Sequence, residues 1–155
     1  MKRSSRKATV IFGILSLLIL CFIWGQSMLP RSASADESNV LMRLMKPILA
    51  PKNRADDDIF HHYLRKTAHF VEYAALGFCM CCFFRKLEWK RNAVRTVVTI
   101  ISPILAAAID ETIQIFTPNR GPQFSDVLLD SCGALCGIGV FLFLAHCFRS
   151  ILKKN

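Results

Sequence analysis

The sequence predicts an all-α, polytopic membrane protein with four transmembrane helices and an outer amphipathic segment, and three observations carry that prediction. The chain has 155 residues, 53% of them hydrophobic, and its charges fall in blocks between long apolar runs rather than along amphipathic elements. Four runs, at about 8–24, 68–84, 96–116 and 127–148, approach the ~20 residues a helix needs to cross a hydrocarbon core of about 30 Å. Residues 1–7, 85–95 and 149–155 hold 12 of the 20 Lys and Arg with Glu88 as their only acid, whereas the longer stretches 26–67 and 117–126 hold eight. That asymmetry is the positive-inside pattern, and it places both termini and the 85–95 loop in the cytoplasm. An even number of spans follows, in agreement with four. Topology thus accounts for the net charge of +9, and no nucleic-acid partner is implied. No internal repeat or low-complexity tract interrupts the chain, so residues 1–155 read as one membrane domain.

The elements follow in order. MKRSSRK and the apolar run after it have the outline of a secretory signal, and Ala33-Ser34-Ala35 offers a cleavage pattern. The run is longer than a usual signal core and stands well before Ala35, so the reading is an uncleaved first helix. Trp24 suits the membrane interface at its outer end, and Pro30 ends it. Residues 26–67 form the outer segment. In it Val40, Leu41, Leu44, Met45, Ile48 and Leu49 share a helical face, which predicts a short interfacial or capping helix kinked near Pro47. Asp56-Asp57-Asp58 begins a new helix, offsetting the positive end of its dipole, and this helix runs unbroken into the second span. The third span carries Pro103, Asp110, Glu111 and Gln114. The fourth places Asp126, Asp130, Gly133 and Gly137 on one face, and Gly133-x-x-x-Gly137 predicts close approach to a neighbouring helix. The seven cysteines lie in apolar runs and are odd in number, which argues against a disulfide framework, and Cys79-x-Cys81-Cys82 reads as buried free thiols rather than a metal or redox cluster.

Polar residues concentrate at one depth. The second span enters, the third leaves and the fourth begins on the outer side, so Glu72, Glu111, Asp130, His69, Gln114, Arg65, Lys66 and Arg120 occupy one outer layer. Charge inside a bilayer costs roughly 2.5–3.5 kcal/mol at a helix centre, so such groups have partners or tasks. An ion pathway leaves polar groups at several depths; one layer suits a pocket open to the outer face. Glu111, His69 and Glu72 are the candidate catalytic groups for acid/base chemistry. Lys66, Tyr73, Gln114, Arg120, Asp126 and Asp130 are the candidate ligand-binding groups, the basic ones suited to phosphate. His69-x-x-Glu72 with Glu111 and Asp130 also forms a ligand inventory for a metal, but its spacing is common, and neither a metal nor a cofactor is assigned. Glu111 and Gln114 share a face, whereas Asp110 points about 100° away from Glu111. A buried ionic network that merely locks the helices together is the competing structural reading.

The stretches RKTAHFVEYAALG, with Lys66, His69, Glu72 and Tyr73, and DETIQIFTPNRGPQFSDVLLDSCGALCG closely resemble the VanZ-like membrane proteins. Trp24, Ser27 and Pro30 also sit where that family tends to place those residue types, and the resemblance covers all four spans. Asp130 stands where the family pattern has Asn. The resemblance implies a bacterial plasma-membrane protein of the cell envelope, and the family's founding member is associated with resistance to teicoplanin. The expectation is an outer-leaflet polar pocket that binds an envelope lipid, a cell-wall precursor or a glycopeptide. An enzyme acting on such a lipid-linked substrate and a small transporter are the alternatives. Membrane lipids are the expected surroundings; the oligomeric state is left open.

Overall fold

A computed structural model describes residues 3–29, 54–118, 121 and 123–153, with side chains described from residue 6 in the first helix and from residue 63 in the second. Four helices make up these residues: α1 (Arg3–Ser27), α2 (Arg54–Lys86), α3 (Asn92–Ile115) and α4 (Phe124–Leu152). Each contains a stretch long and apolar enough to cross a membrane, over Arg6–Ser27, Tyr63–Lys86, Asn92–Ile115 and Phe124–Leu152. The protein is therefore a multi-pass, all-α membrane protein. The interfacial helix expected around Val40–Leu49, Pro30 and the Ala33–Ala35 pattern lie outside the described residues.

The helices overrun the apolar spans read from the sequence, for a geometric reason. The 29 residues of α4 measure about 43 Å at helical rise, more than a hydrocarbon core of about 30 Å. At least one end of α4 therefore reaches past such a core. The second helix is continuous from Arg54, as expected of a helix that starts near Asp56–Asp58 and proceeds into the span.

α2 is the central element, in contact with α1, α3 and α4, most extensively with α4. Small residues permit that contact. A Cβ on Gly77 would run into the Ala134 backbone, one on Gly133 into the Phe70 carbonyl, and one on Gly137 into the Ala74 carbonyl. The close approach anticipated for Gly133-x-x-x-Gly137 is thus made, with Gly77 answering from the facing helix. Between helices in lipid there is little hydrophobic driving force, so this intimate van der Waals fit does the holding. Tyr73, Leu76, Ile23, Ala107 and Ala134 fill the centre. The outward faces are apolar and exposed, with Val10, Ile14, Leu18 and Phe22 on α1 and Leu135, Val140, Phe143 and Leu144 on α4. That inversion is what a lipid-facing surface requires.

Two hydrogen bonds tie the end of α1 to the middle of α3 and to the turn that follows it. Trp24 Nε1 donates to the Ala106 carbonyl at 3.3 Å, and Thr117 Oγ1 donates to the Ser27 carbonyl at 2.9 Å. Trp24, expected as an interface anchor, thus acts as a helix–helix donor. All seven cysteines are free thiols; Cys79, Cys81 and Cys82 are buried toward the C-terminal end of α2.

Candidate functional site

The topology gathers the early turns of the second span, the end of α3, the α3–α4 loop and the start of α4 at one end of the bundle. There a shallow open cleft is lined by Arg65, Lys66 and His69 of α2, Glu111 and Gln114 of α3, and Asp126, Leu129 and Asp130 of α4. Its α2 residues are brought to one wall by helical spacing, since 65, 66 and 69 lie within a turn. Its α4 residues 126, 129 and 130 repeat that pattern on the opposite wall. The glycine-mediated contact just below sets the distance between the walls.

Specific bonds fix the geometry. Lys66 Nζ pairs with Asp126 Oδ1 at 2.6 Å across the cleft mouth, both side chains about one-fifth to one-quarter exposed (24% and 19%). The Gln123 amide donates to Glu111 Oε2 at 2.9 Å, so this carboxylate receives the amide of the residue just before α4. Gln114 Nε2 donates to Asp110 Oδ2 at 3.3 Å. His69 Nδ1 lies 3.9 Å from Glu72 Oε2, one turn along the same helix. Tyr73, fully buried, donates its hydroxyl to the Ala106 carbonyl at 3.3 Å, the acceptor that Trp24 also uses.

Lys66, His69, Glu111, Gln114, Asp126 and Asp130, all candidates from the sequence, therefore share one cleft. Glu72 and Tyr73 stand behind it, Glu72 against His69 and Tyr73 on the α3 backbone. Arg120 lies outside the described residues. Three residues enter that the sequence reading had not chosen for the site. Arg65 extends the basic wall and Leu129 supplies an apolar patch. Asp110 is the third, with no solvent exposure. Its direction, about 100° from Glu111, places it on another face of the helix, but α3 meets both α2 and α4. Two directions on α3 can therefore face polar partners. Glu111 turns to the loop, and Asp110 turns to the buried centre. The signal that finds Asp110 is its i, i+4 relation to Gln114, which is the pair the hydrogen bond uses.

Deeper than the Lys66–Asp126 pair, one ligating atom each from His69, Asp110 and Asp130 lie within 4.8 Å of one another. This grouping differs from the inventory of His69, Glu72, Glu111 and Asp130 read from helical spacing. One imidazole and several carboxylates next to two basic side chains can exchange protons, hold a cation, or bind a phosphate through Arg65 and Lys66.

A family model described as VanZ/LLP1 matches residues 12–145, which include all the cleft residues. Comparison with curated proteins and with solved structures gives no match.

Proposed function

We propose a function from one premise: the chain belongs to the VanZ/LLP1 family and is a multi-pass membrane protein. Its polar cleft opens at the outer leaflet of a bacterial plasma membrane, with both termini cytoplasmic, and binds an envelope lipid, a lipid-linked cell-wall precursor or a glycopeptide. The positive-inside distribution of Lys and Arg supports that orientation. The observation that carries the binding role is the cleft itself. Arg65, Lys66, His69, Glu111, Gln114, Asp126 and Asp130 converge beside Leu129, at one end of a bundle whose sides are apolar. A cationic wall beside an apolar patch matches a headgroup carrying phosphate next to an acyl chain.

A second reading, acid/base catalysis on a lipid-linked substrate, is favoured by one feature. Glu111 and His69 line the same cleft from different helices, with Glu72 against the imidazole. The discriminating experiment profiles lipids and cell-wall precursors in deletion, wild-type and Glu111→Gln strains. For simple binding, Glu111→Gln weakens retention of the bound lipid in purified protein and creates no new precursor species. Accumulation of one precursor in both mutant strains identifies a substrate and overturns simple binding. An unchanged profile with altered teicoplanin susceptibility identifies the glycopeptide as the occupant. Labelling at a cysteine placed at Arg120 from the cytoplasmic side would reject the outer cleft altogether.

A further inference from the structure

We infer that His69, Asp110 and Asp130 form a binding site for a divalent transition-metal ion, of the zinc or manganese class, at the floor of the cleft. The three residues come from α2, α3 and α4, so no short sequence motif encodes the site; only the assembled bundle does. One ligating atom from each lies within 4.8 Å of the other two. Ligands about 2.1 Å from a tetrahedral ion stand about 3.4 Å apart. Closing the triangle from its present size asks each atom to move inward by some tenths of an ångström, within reach of side-chain torsions.

Proximity of acids alone would not distinguish a metal site from a crowded helix interface. The second observation is Asp130. It is 2% exposed, and its buried Oδ1 has no hydrogen-bond partner among the described residues. A buried carboxylate oxygen without a donor loses its hydration and gains nothing in return, a cost of about 1–3 kcal/mol or more for a charged group. A cation between Asp130, Asp110 and His69 offsets that loss. Lys66 Nζ, the amino group that lines the cleft, pairs with Asp126 at 2.6 Å.

The donor set decides the class of ion. An imidazole nitrogen beside two carboxylates suits zinc or manganese, whereas magnesium and calcium prefer all-oxygen sites. Outer partners that orient ligands are also present. Gln114 donates to Asp110 Oδ2, and Glu72 lies 3.9 Å from His69 Nδ1. His69 and Asp130 also line the open cleft, so an ion held here has an entry path and a side that faces whatever occupies the cleft. Three protein ligands with one open direction is the pattern of sites that bind a further oxygen ligand. This site stands whether the cleft holds a lipid, a precursor or a glycopeptide.

The test uses the full chain in detergent micelles, stripped with a chelator and titrated with Mn²⁺, a probe that avoids the seven thiols because manganese prefers oxygen and nitrogen ligands. The expected result is saturable binding of one Mn²⁺ per chain, with a rise in thermal unfolding temperature, and weaker binding of Mg²⁺. Asp130→Asn, a near-isosteric change that keeps the fold, is expected to weaken Mn²⁺ by more than about tenfold, as are Asp110→Asn and His69→Gln. His146→Gln, on the exposed face near the other end of α4, leaves the affinity unchanged and controls for adventitious imidazole binding. No saturable binding to wild type overturns the site. Equal binding by wild type and a folded Asp130→Asn variant, confirmed by circular dichroism, overturns it as well.

Discussion

The two ends of the bundle spend their charge in opposite ways. At the end that joins α2 to α3, the basic residues stay at the surface. Lys90, Arg91 and Arg149 are exposed, and Arg85 lies with its guanidinium 5.8 Å from the centre of the Phe141 ring. Aromatic contacts organise that end: Phe78 meets Phe141 edge-on at 5.5 Å, and Trp89 donates to the Phe84 carbonyl at 2.8 Å. At the end that joins α3 to α4, carboxylates are drawn inside, with Asp110, Glu111 and Asp130 all buried. Exposed cations beside a membrane keep their hydration and set topology. Buried acids give up hydration, and a bundle of this kind could be held by its small-residue contacts without them. The first end keeps its cations hydrated; the second has an arrangement that stability alone does not demand.

The sharpest way to break this contrast is at the helix contact that creates the polar end. Gly137→Ala places a methyl group against the Ala74 carbonyl, and the backbones must separate, whereas the same change at Gly139 meets nothing within 4 Å. Overpacking costs about 1–3 kcal/mol, so Gly137→Ala is expected to lower stability in mixed-micelle unfolding by that amount and to open the cleft walls. Gly139→Ala should be near neutral. Equal effects at the two glycines would mean that α2 and α4 are not in intimate contact.

A smaller effect tests whether charge at the polar end is paired. Lys66→Met leaves Asp126 without its cation, and because both side chains keep some exposure the cost is expected near the low end of about 1–3 kcal/mol. Adding Asp126→Asn should recover most of it. Arg149→Met at the basic end, an exposed site, should change stability by less than about 0.5 kcal/mol. A double variant no more stable than Lys66→Met alone would show that the pair is not coupled.

How much of this was legible beforehand follows from what each signal measures. Hydropathy registers the solvent a residue meets, so four spans, their order and the polar layer could be read directly. Gly133 and Gly137 also announced themselves, because a four-residue spacing puts both on one face. Helical spacing registers direction within a single helix and nothing of its neighbours. It grouped Glu111 with Gln114 and set Asp110 aside, since it contained nothing about which neighbours flank α3. It also named Tyr73 and Glu72 as site groups, whereas their positions behind the cleft depend on the Ala106 carbonyl and the His69 ring. The triangle of His69, Asp110 and Asp130 joins three helices and has no linear signature at all.

The smallest predicted effect concerns one atom that bridges the core and the polar end. Trp24 and Tyr73 both donate to the Ala106 carbonyl at 3.3 Å, one turn before Asp110. An interhelical side-chain hydrogen bond in a membrane protein averages about 0.6 kcal/mol. With two donors on one acceptor, removing either leaves the oxygen still bonded, so Trp24→Phe and Tyr73→Phe should each cost no more than about that amount. Ala106 lies within α3, so its carbonyl also accepts the helical bond from the Asp110 amide, and the double variant, whose oxygen is still bonded, should lose about the sum of the singles. A loss clearly larger than the sum would mean that the two donors are coupled through the shared carbonyl.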